Sequence, residues 1–240
     1  MAPKLSKRLT ALSGLVTAGF RLADVGTDHG YIPIYLVLEG KIPSAIAMDI
    51  RTGPLNRAKE HIAAYGLEDK IETRISDGVA ALRRGEADSV LIAGMGGGLV
   101  QKILSEGDGV LEDVRELILQ PQSEIPQVRK YLMEHGYVIV DEDMVKEDGK
   151  FYPMMKVHKM TGGSSDVQKD RVLENAFGPV LLKKKHPVLL EWLDYEFQVT
   201  EKILKQLEKQ AQKDQIVIRE REIIEKQELL LRAMRQTEHL

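Results

Sequence analysis

Between residues 20 and 120 the hydrophobic pattern switches repeatedly between a period of two and a helical period, and this most restricts what the chain can fold into. Short apolar runs at Phe20–Val25, Ala45–Asp49, Ile71–Ser76, Ser89–Ala93 and Leu117–Leu119 each end in polar or glycine residues. Between them, Ile32–Leu38, Pro54–Tyr65, a short Val79–Arg83 and Leu99–Leu104 carry helical spacing. Strands alternating with helices at this interval predict right-handed βαβ units and an open parallel sheet covered on both faces. A further helix is expected over Ile125–Glu134, stopping at His135-Gly136. Two strand-like runs follow, Tyr137–Val140 and Tyr152–Val157, with Glu147-Asp148-Gly149 between them as a hairpin turn signal. The expected fold class is α/β: a Rossmann-like, mostly parallel sheet ending in an antiparallel hairpin.

Thr161-Gly162-Gly163-Ser164-Ser165 is a polar breaker and divides the chain into expected domains 1–160 and 161–240. No Pro or Gly occurs after Pro187, and apolar residues recur at helical spacing from Leu189 to Leu207 and from Val217 to Met234. A single solvent-exposed helix of that length has nothing to bury its stripe against. The polar stretch Gln210–Gln215 interrupts the stripe, and Asp214 suits a new N-cap. An antiparallel all-α hairpin is expected, with one long dimerising coiled coil as the alternative.

Composition excludes several chemistries. The chain has no cysteine, which removes disulfides, thiolate nucleophiles and Cys-based zinc sites. No H-x-E, H-E-x-x-H or G-x-x-x-x-G-K-[ST] motif occurs, and no metal is expected. The apolar stretch after Lys7-Arg8 is broken by Thr10, Ser13, Gly14, Thr17 and Gly19, so Leu5, Leu9, Leu12 and Val16 read as one face of a helix. No run is long enough to cross a bilayer, and a soluble cytoplasmic protein with no membrane partner is expected. With a net charge of -3, a nucleic-acid partner requires a local basic patch. Residues 1–23 contain Lys4, Lys7, Arg8 and Arg21 and no acid, a charge expected across the mouth of the sheet if the first helix packs before the first strand, and Lys183, Lys184 and Lys185 form a second cluster.

Three acids fall at the carboxyl ends of three consecutive expected strands, the edge where open α/β sheets bind ligands. The first strand–helix turn reads Ala23-Asp24-Val25-Gly26-Thr27-Asp28-His29-Gly30-Tyr31 and lacks the G-x-G-x-x-G dinucleotide fingerprint. A nucleoside without a pyrophosphate needs close backbone approach and an acid for an ammonium group; S-adenosylmethionine (SAM) has that ammonium. Asp49 ends the second strand, where a carboxylate holds a ribose diol. Asp77-Gly78 ends the third, where an acid accepts from an adenine amine. Singly, each aspartate is equally a helix cap or turn residue. The fourth strand runs into Gly94-Met95-Gly96-Gly97-Gly98, a loop whose backbone is able to pass close to two ligands.

The segments DVGTDHGYIP, MDI, SDG, AGMGG, LILQP and GKFYP, with the charged helical C-terminal part, together resemble the bacterial tRNA (adenine-N1)-methyltransferases that modify position 22. The resemblance implies a class I SAM-dependent domain followed by a coiled-coil domain that binds tRNA. It implies Asp24, Gly26 and Gly30 around the methionine end of SAM, Asp49 on the ribose and Asp77-Gly78 at the adenine. Gly94 and Met95 would lie on the cofactor side of the glycine loop, with Gly96 and Gly97 on the acceptor side. The Asn/Asp-Pro-Pro-aromatic tetrapeptide of other amino methyltransferases is absent there.

Adenine N1 carries an in-plane lone pair, so the chemistry asks for alignment rather than a general base. N1 is hidden in paired RNA, and the base must be turned into a pocket. Asp28, His29 and Tyr31 are the candidate catalytic residues beside the cofactor turn. Lys4, Lys7, Arg8, Tyr152 and Lys183–Lys185 are the remaining candidate tRNA contacts. A monomer is expected, and a small-molecule methyltransferase or a non-catalytic SAM-binding scaffold remain the alternatives.

Overall fold

The computed structural model describes residues 2–160, 171–208 and 214–238. It divides into two compact units, residues 1–169 and 170–240. The breaker at Thr161–Ser165 and the segment 209–213, which holds most of the polar stretch Gln210–Gln215, lie outside the described residues.

The first unit opens with helix α1 (Lys7–Leu15), capped by the Ser6 hydroxyl, which accepts from the Leu9 amide. Then come β1 (Leu22–Val25), α2 (Tyr31–Leu38), β2 (Ala45–Asp49), α3 (Thr52–Ala64), β3 (Ile71–Ile75) and β4 (Ser89–Met95). They are followed by α4 (Gly97–Glu106), a short α5 (Asp108–Leu111), β5 (Glu116–Pro121), α6 (Ile125–Glu134), β6 (Tyr137–Glu147) and β7 (Lys150–Lys159). The strands form one sheet in the order β3-β2-β1-β4-β5-β7-β6. β1 to β5 are mutually parallel, and β7 runs antiparallel to both β5 and β6. The chain leaves β1 toward β2 on one side and returns to β4 on the other. The topological switch point of this sheet therefore lies between β1 and β4.

Side-chain alternation along the buried strands supplies two cores. Ala23, Val25, Ile46, Met48, Val90, Ile92, Leu117 and Leu119 face one layer with Val100, Ile103, Val128 and Leu132. Leu22, Ala45, Ala47, Leu91 and Ile118 face the other with Leu12, Ile34, Ala58 and Ile62. The hairpin turns at Asp148 (φ 50) and Gly149 (φ 75), the two positive φ values that a two-residue turn matching strand twist requires.

Two local expectations fail. Val79–Arg83 is a series of turns rather than a helix. The Ser76 hydroxyl accepts from the Ala81 amide, and the Arg74 guanidinium donates to the Ala81 carbonyl, so side chains take the partners a helix would need. The four positive charges of residues 1–23 also do not stand together at the sheet's mouth. Arg21 precedes β1 at the opposite edge and is paired through two nitrogens with Asp88 at 2.9 and 3.1 Å.

The second unit contains α7 (Val172–Phe177), α8 (Pro179–Lys183), α9 (Pro187–Leu207) and α10 (Asp214–Gln236). Lys226 pairs with Glu196, and Lys185 with Glu238, so α9 and α10 run antiparallel, as a hairpin does. Leu189, Leu193, Ile223, Leu230 and Met234 are buried in this unit, and Phe177 meets Trp192 edge-on at 5.8 Å.

Candidate active site

The carboxyl ends of β1, β2, β3 and β4 border two adjoining cavities. The first, of about 430 Å³, is lined by Asp24, Gly26, Asp28, His29 and Tyr31, by Arg8 of α1, and by Asp49, Gly94 and Gln122. The second, of about 320 Å³, is lined by Asp49, Ser76, Asp77, Gly78, Met95, Leu99 and Ile103. Gly26, Asp49, Arg51, Ala93 and Gly94 line both, so the two form one cleft along the switch-point rim. Their sizes fall in the range of small-molecule sites. The three aspartates therefore face a common space.

Each wall has a local cause. Asp24 is the third residue of β1 and is buried at 8% exposure. Burial pushes its carboxyl up to about 6, and the nearby Asp49 charge pushes the same way. No ion pair relieves it among the described residues, so the site holds a buried acid that lacks a cation. Asp49 ends β2, and its Oδ1 accepts from the Arg51 amide at 2.7 Å. The Asp77-Gly78 turn is fixed by Ser76, whose hydroxyl donates to the Gly78 carbonyl at 2.9 Å. A Cβ on Gly78 would lie 2.9 Å from Ile103, which closes the second cavity.

The fourth strand ends in a bulge. Ala93 pairs with Gln120 and Met95 with Pro121, which leaves Gly94 as the extra residue at φ +78. A side chain in that left-handed conformation would be strained, so glycine is required where the strand turns out at the rim. Gly97 has a different reason: a Cβ there would meet the Ser123 carbonyl at 2.5 Å, so its place is in the packing of α4.

The 28–31 turn is held from α3. Arg57 donates to Asp28 at 2.8 Å, and the His61 ring nitrogen lies 3.0 Å from the His29 carbonyl. His29, Tyr31 and His61 stack on one another with centroids 5.2–5.3 Å apart. His29 adopts φ 65, a strained value for a non-glycine residue that surrounding structure must hold in place.

Not every expected residue lines the cleft. Gly30 is the N-cap of α2, and a Cβ there would lie 3.5 Å from Ala58. Gly96, Gly97, Lys4 and Lys7 are outside both cavity walls, and the Lys7 amide donates to Glu147. Tyr152 lies beside Arg8, whose guanidinium stands 5.6 Å from the ring centre, and Arg8 also donates to Gln120 at 2.9 Å. Lys183, Lys184 and Lys185 belong to the second unit, where Lys185 pairs with Glu238 at 2.8 Å. Sequence reasoning missed Arg51, Gln122 and His61. Gln122 had a signal, since it follows the fifth strand on the same rim as the aspartates. Nothing in the spacing of His61 marked it.

A sequence model of the family described as TrmK, tRNA (adenine(22)-N(1))-methyltransferase, matches residues 22–228. The chain belongs to the TrmK family. It is 36% identical over 230 residues to the Bacillus subtilis tRNA (adenine(22)-N(1))-methyltransferase, covering 95% of each chain. A Streptococcus pneumoniae protein solved in complex with S-adenosyl-L-methionine superposes with a TM-score of 0.82 at 34% identity, over 96% of this chain and all of that one. Mycoplasma capricolum TrmK, solved with S-adenosyl-homocysteine, gives 0.80 at 27% identity, over 97% and 99%. TrmK membership makes the chain a SAM-dependent tRNA (adenine-N1)-methyltransferase. Among the described residues no helix is long and apolar enough to cross a membrane, and no three His, Asp or Glu side chains are grouped to hold a metal ion.

Proposed function

We propose that the rim cleft holds SAM in an extended pose and receives adenine 22 of tRNA beside Tyr31, for methyl transfer to N1. The observation that carries this assignment is the buried, unpaired Asp24 in a cleft shared with Asp49 and Asp77. A cationic amino-acid group satisfies Asp24, a ribose diol satisfies Asp49, and an exocyclic amine satisfies Asp77. The second cavity, closed by Leu99 and Ile103, suits the adenine ring; the first suits the methionine end and the acceptor base. Bound SAM supplies a methyl group on a positively charged sulfur, which leaves as a neutral thioether when N1 takes the methyl.

The protein's own part is alignment and exclusion of water. Tyr31, exposed and stacked with His29, offers a ring face to a base turned out of the tRNA. Asp28, fixed by Arg57, stands where it is able to accept from the adenine amine, which becomes more acidic as N1 acquires charge. Gly94 keeps the rim open between the two ligands. A monomer is taken as the working unit. A cytoplasmic location fits a tRNA substrate. The second, helical unit is the candidate for holding the tRNA body.

Incubation with methyl-labelled SAM and tRNA should place label in N1-methyladenosine at position 22. Label confined to small molecules would favour a metabolite methyltransferase, and SAM binding without transfer a scaffold. Two further outcomes are expected. Asp49→Ala should weaken SAM binding by about 1–3 kcal/mol, the cost of leaving buried polar groups unpaired; unchanged affinity by calorimetry would remove Asp49 from the site. Charge reversal at Lys183 and Lys184 should raise KM for tRNA and flatten its salt dependence while sparing SAM affinity. A salt dependence identical to that of the wild type would make the cluster ordinary surface.

A further inference from the structure

We propose that Gln122 selects the target base, its side-chain amide accepting from the adenine N6 amine and donating to N7. The assignment rests on the acceptor pocket proposed above and adds the group that distinguishes adenine within it. Two glutamines stand at the end of β5. Gln120 is buried and both ends of its amide are engaged: Oε1 accepts from Arg8 at 2.9 Å and Nε2 donates to the Pro121 carbonyl at 3.2 Å. Gln122 is exposed in the first cavity, and its side-chain amide has no partner among the described residues.

The backbone beneath Gln122 is fixed, since its amide N–H donates to the Met95 carbonyl at 2.8 Å, across the bulge. That bulge sets Gly94 beside it: a Cβ on Gly94 would lie 3.7 Å from Gln122 Nε2 and 3.5 Å from Arg8 Nη1. Gln122 thus projects from the wall formed by β4, β5 and α1, with Asp24, His29 and Tyr31 from the β1–α2 wall lining the same space.

The chemistry of the base explains why an amide belongs there. N1 must stay uncovered for methyl transfer, so recognition through the Watson–Crick edge would obstruct the reacting atom. The N6/N7 edge is open, and a glutamine amide matches its donor–acceptor pair with two hydrogen bonds. Guanine presents two acceptors on that edge, which one carbonyl and one amino group fail to match. The lack of an Asn/Asp-Pro-Pro-aromatic loop after β4 is consistent with base reading from β5 instead.

The test uses tRNA transcripts with adenosine or 7-deazaadenosine at position 22, each with wild type and Gln122→Ala. Replacing N7 by C–H removes the acceptor for the amide; any change in N1 reactivity is common to both proteins and cancels in the comparison. Gln122→Ala should lower kcat/KM on the adenosine transcript about 10- to 100-fold, with SAM affinity and unfolding midpoint unchanged. On the 7-deaza transcript the gap between the two proteins should shrink by about tenfold or more. Equal losses on both transcripts, or no loss on adenosine, would overturn the role of Gln122. Failure of the wild type to form N1-methyladenosine on the adenosine transcript would instead overturn the function itself.

Discussion

Asp24→Asn should raise the Kd for SAM by about two orders of magnitude or more while making the ligand-free protein more stable. Losing one member of a buried, hydrogen-bonded charge pair costs about 2–5 kcal/mol of binding. The opposite effect on folding follows from the raised carboxyl of Asp24, held at about 6 against 3.8 for an unperturbed aspartate. A carboxyl whose folded value is raised favours the folded state below the unfolded value and loses that advantage as pH climbs through the folded one. The penalty therefore accumulates between about pH 4 and pH 6 and is complete at pH 7.5, where it amounts to about 3 kcal/mol at most. Asparagine escapes it.

Urea unfolding at pH 7.5 should thus show a gain for the variant, and the gain should vanish near pH 4. In the wild type, SAM affinity should be level above pH 6 and weaken below it, because the cation must displace a proton from Asp24. Calorimetry near pH 5.5 in buffers of different ionisation enthalpy reads that proton directly. A variant that binds SAM normally, or wild-type binding that releases no proton at pH 5.5, would show that the ammonium lies elsewhere.

Arg129→Met should be the most damaging single change outside the cleft. Arg129 of α6 meets Glu142 of β6 at 3.0 and 3.1 Å, with side chains 2% and 0% exposed. Burial pulls the guanidinium below its ordinary value, while Glu142 pulls it back up. Removing the cation leaves Glu142 buried without its guanidinium, at a cost of about 3–5 kcal/mol. Adding Glu142→Leu should recover most of that loss, since well-packed apolar pairs replace buried ion pairs at little cost. The pair joins the hairpin to the helix that follows Gln122, so it supports the acceptor side of the cleft. A single variant within about 1 kcal/mol of wild type in urea unfolding, or a double variant no better than the single, would contradict this role.

The sheet was readable because buried parallel strands leave little freedom. Ala45–Asp49 and Ile125–Glu134 occupy the bounds expected from their apolar patterns. The parallel sheet and the site's edge followed from βαβ logic, and the three aspartates needed only that edge to be brought to one rim. Elements held by side chains at a distance were not readable. β6 extends to Glu147 through Asp141, Glu142 and Asp143, residues that look like a loop until Arg129 is placed against Glu142. Arg21 looked like part of a basic patch until Asp88, far along the chain, was found beside it. Lys185 met Glu238 in the same way. His61 reaches the 28–31 turn only because α3 packs over it, a fact of three-dimensional packing rather than spacing.

A crystal structure of the protein with S-adenosyl-homocysteine, grown near pH 7.5, addresses the cleft most directly. The expected result is one nucleoside along the rim, with both ribose hydroxyls on the Asp49 carboxylate, the adenine amine on Asp77 and the amino group on Asp24. A nucleoside bound away from these three side chains, or one that leaves Asp24 without a cation, would contradict the assignment of the site.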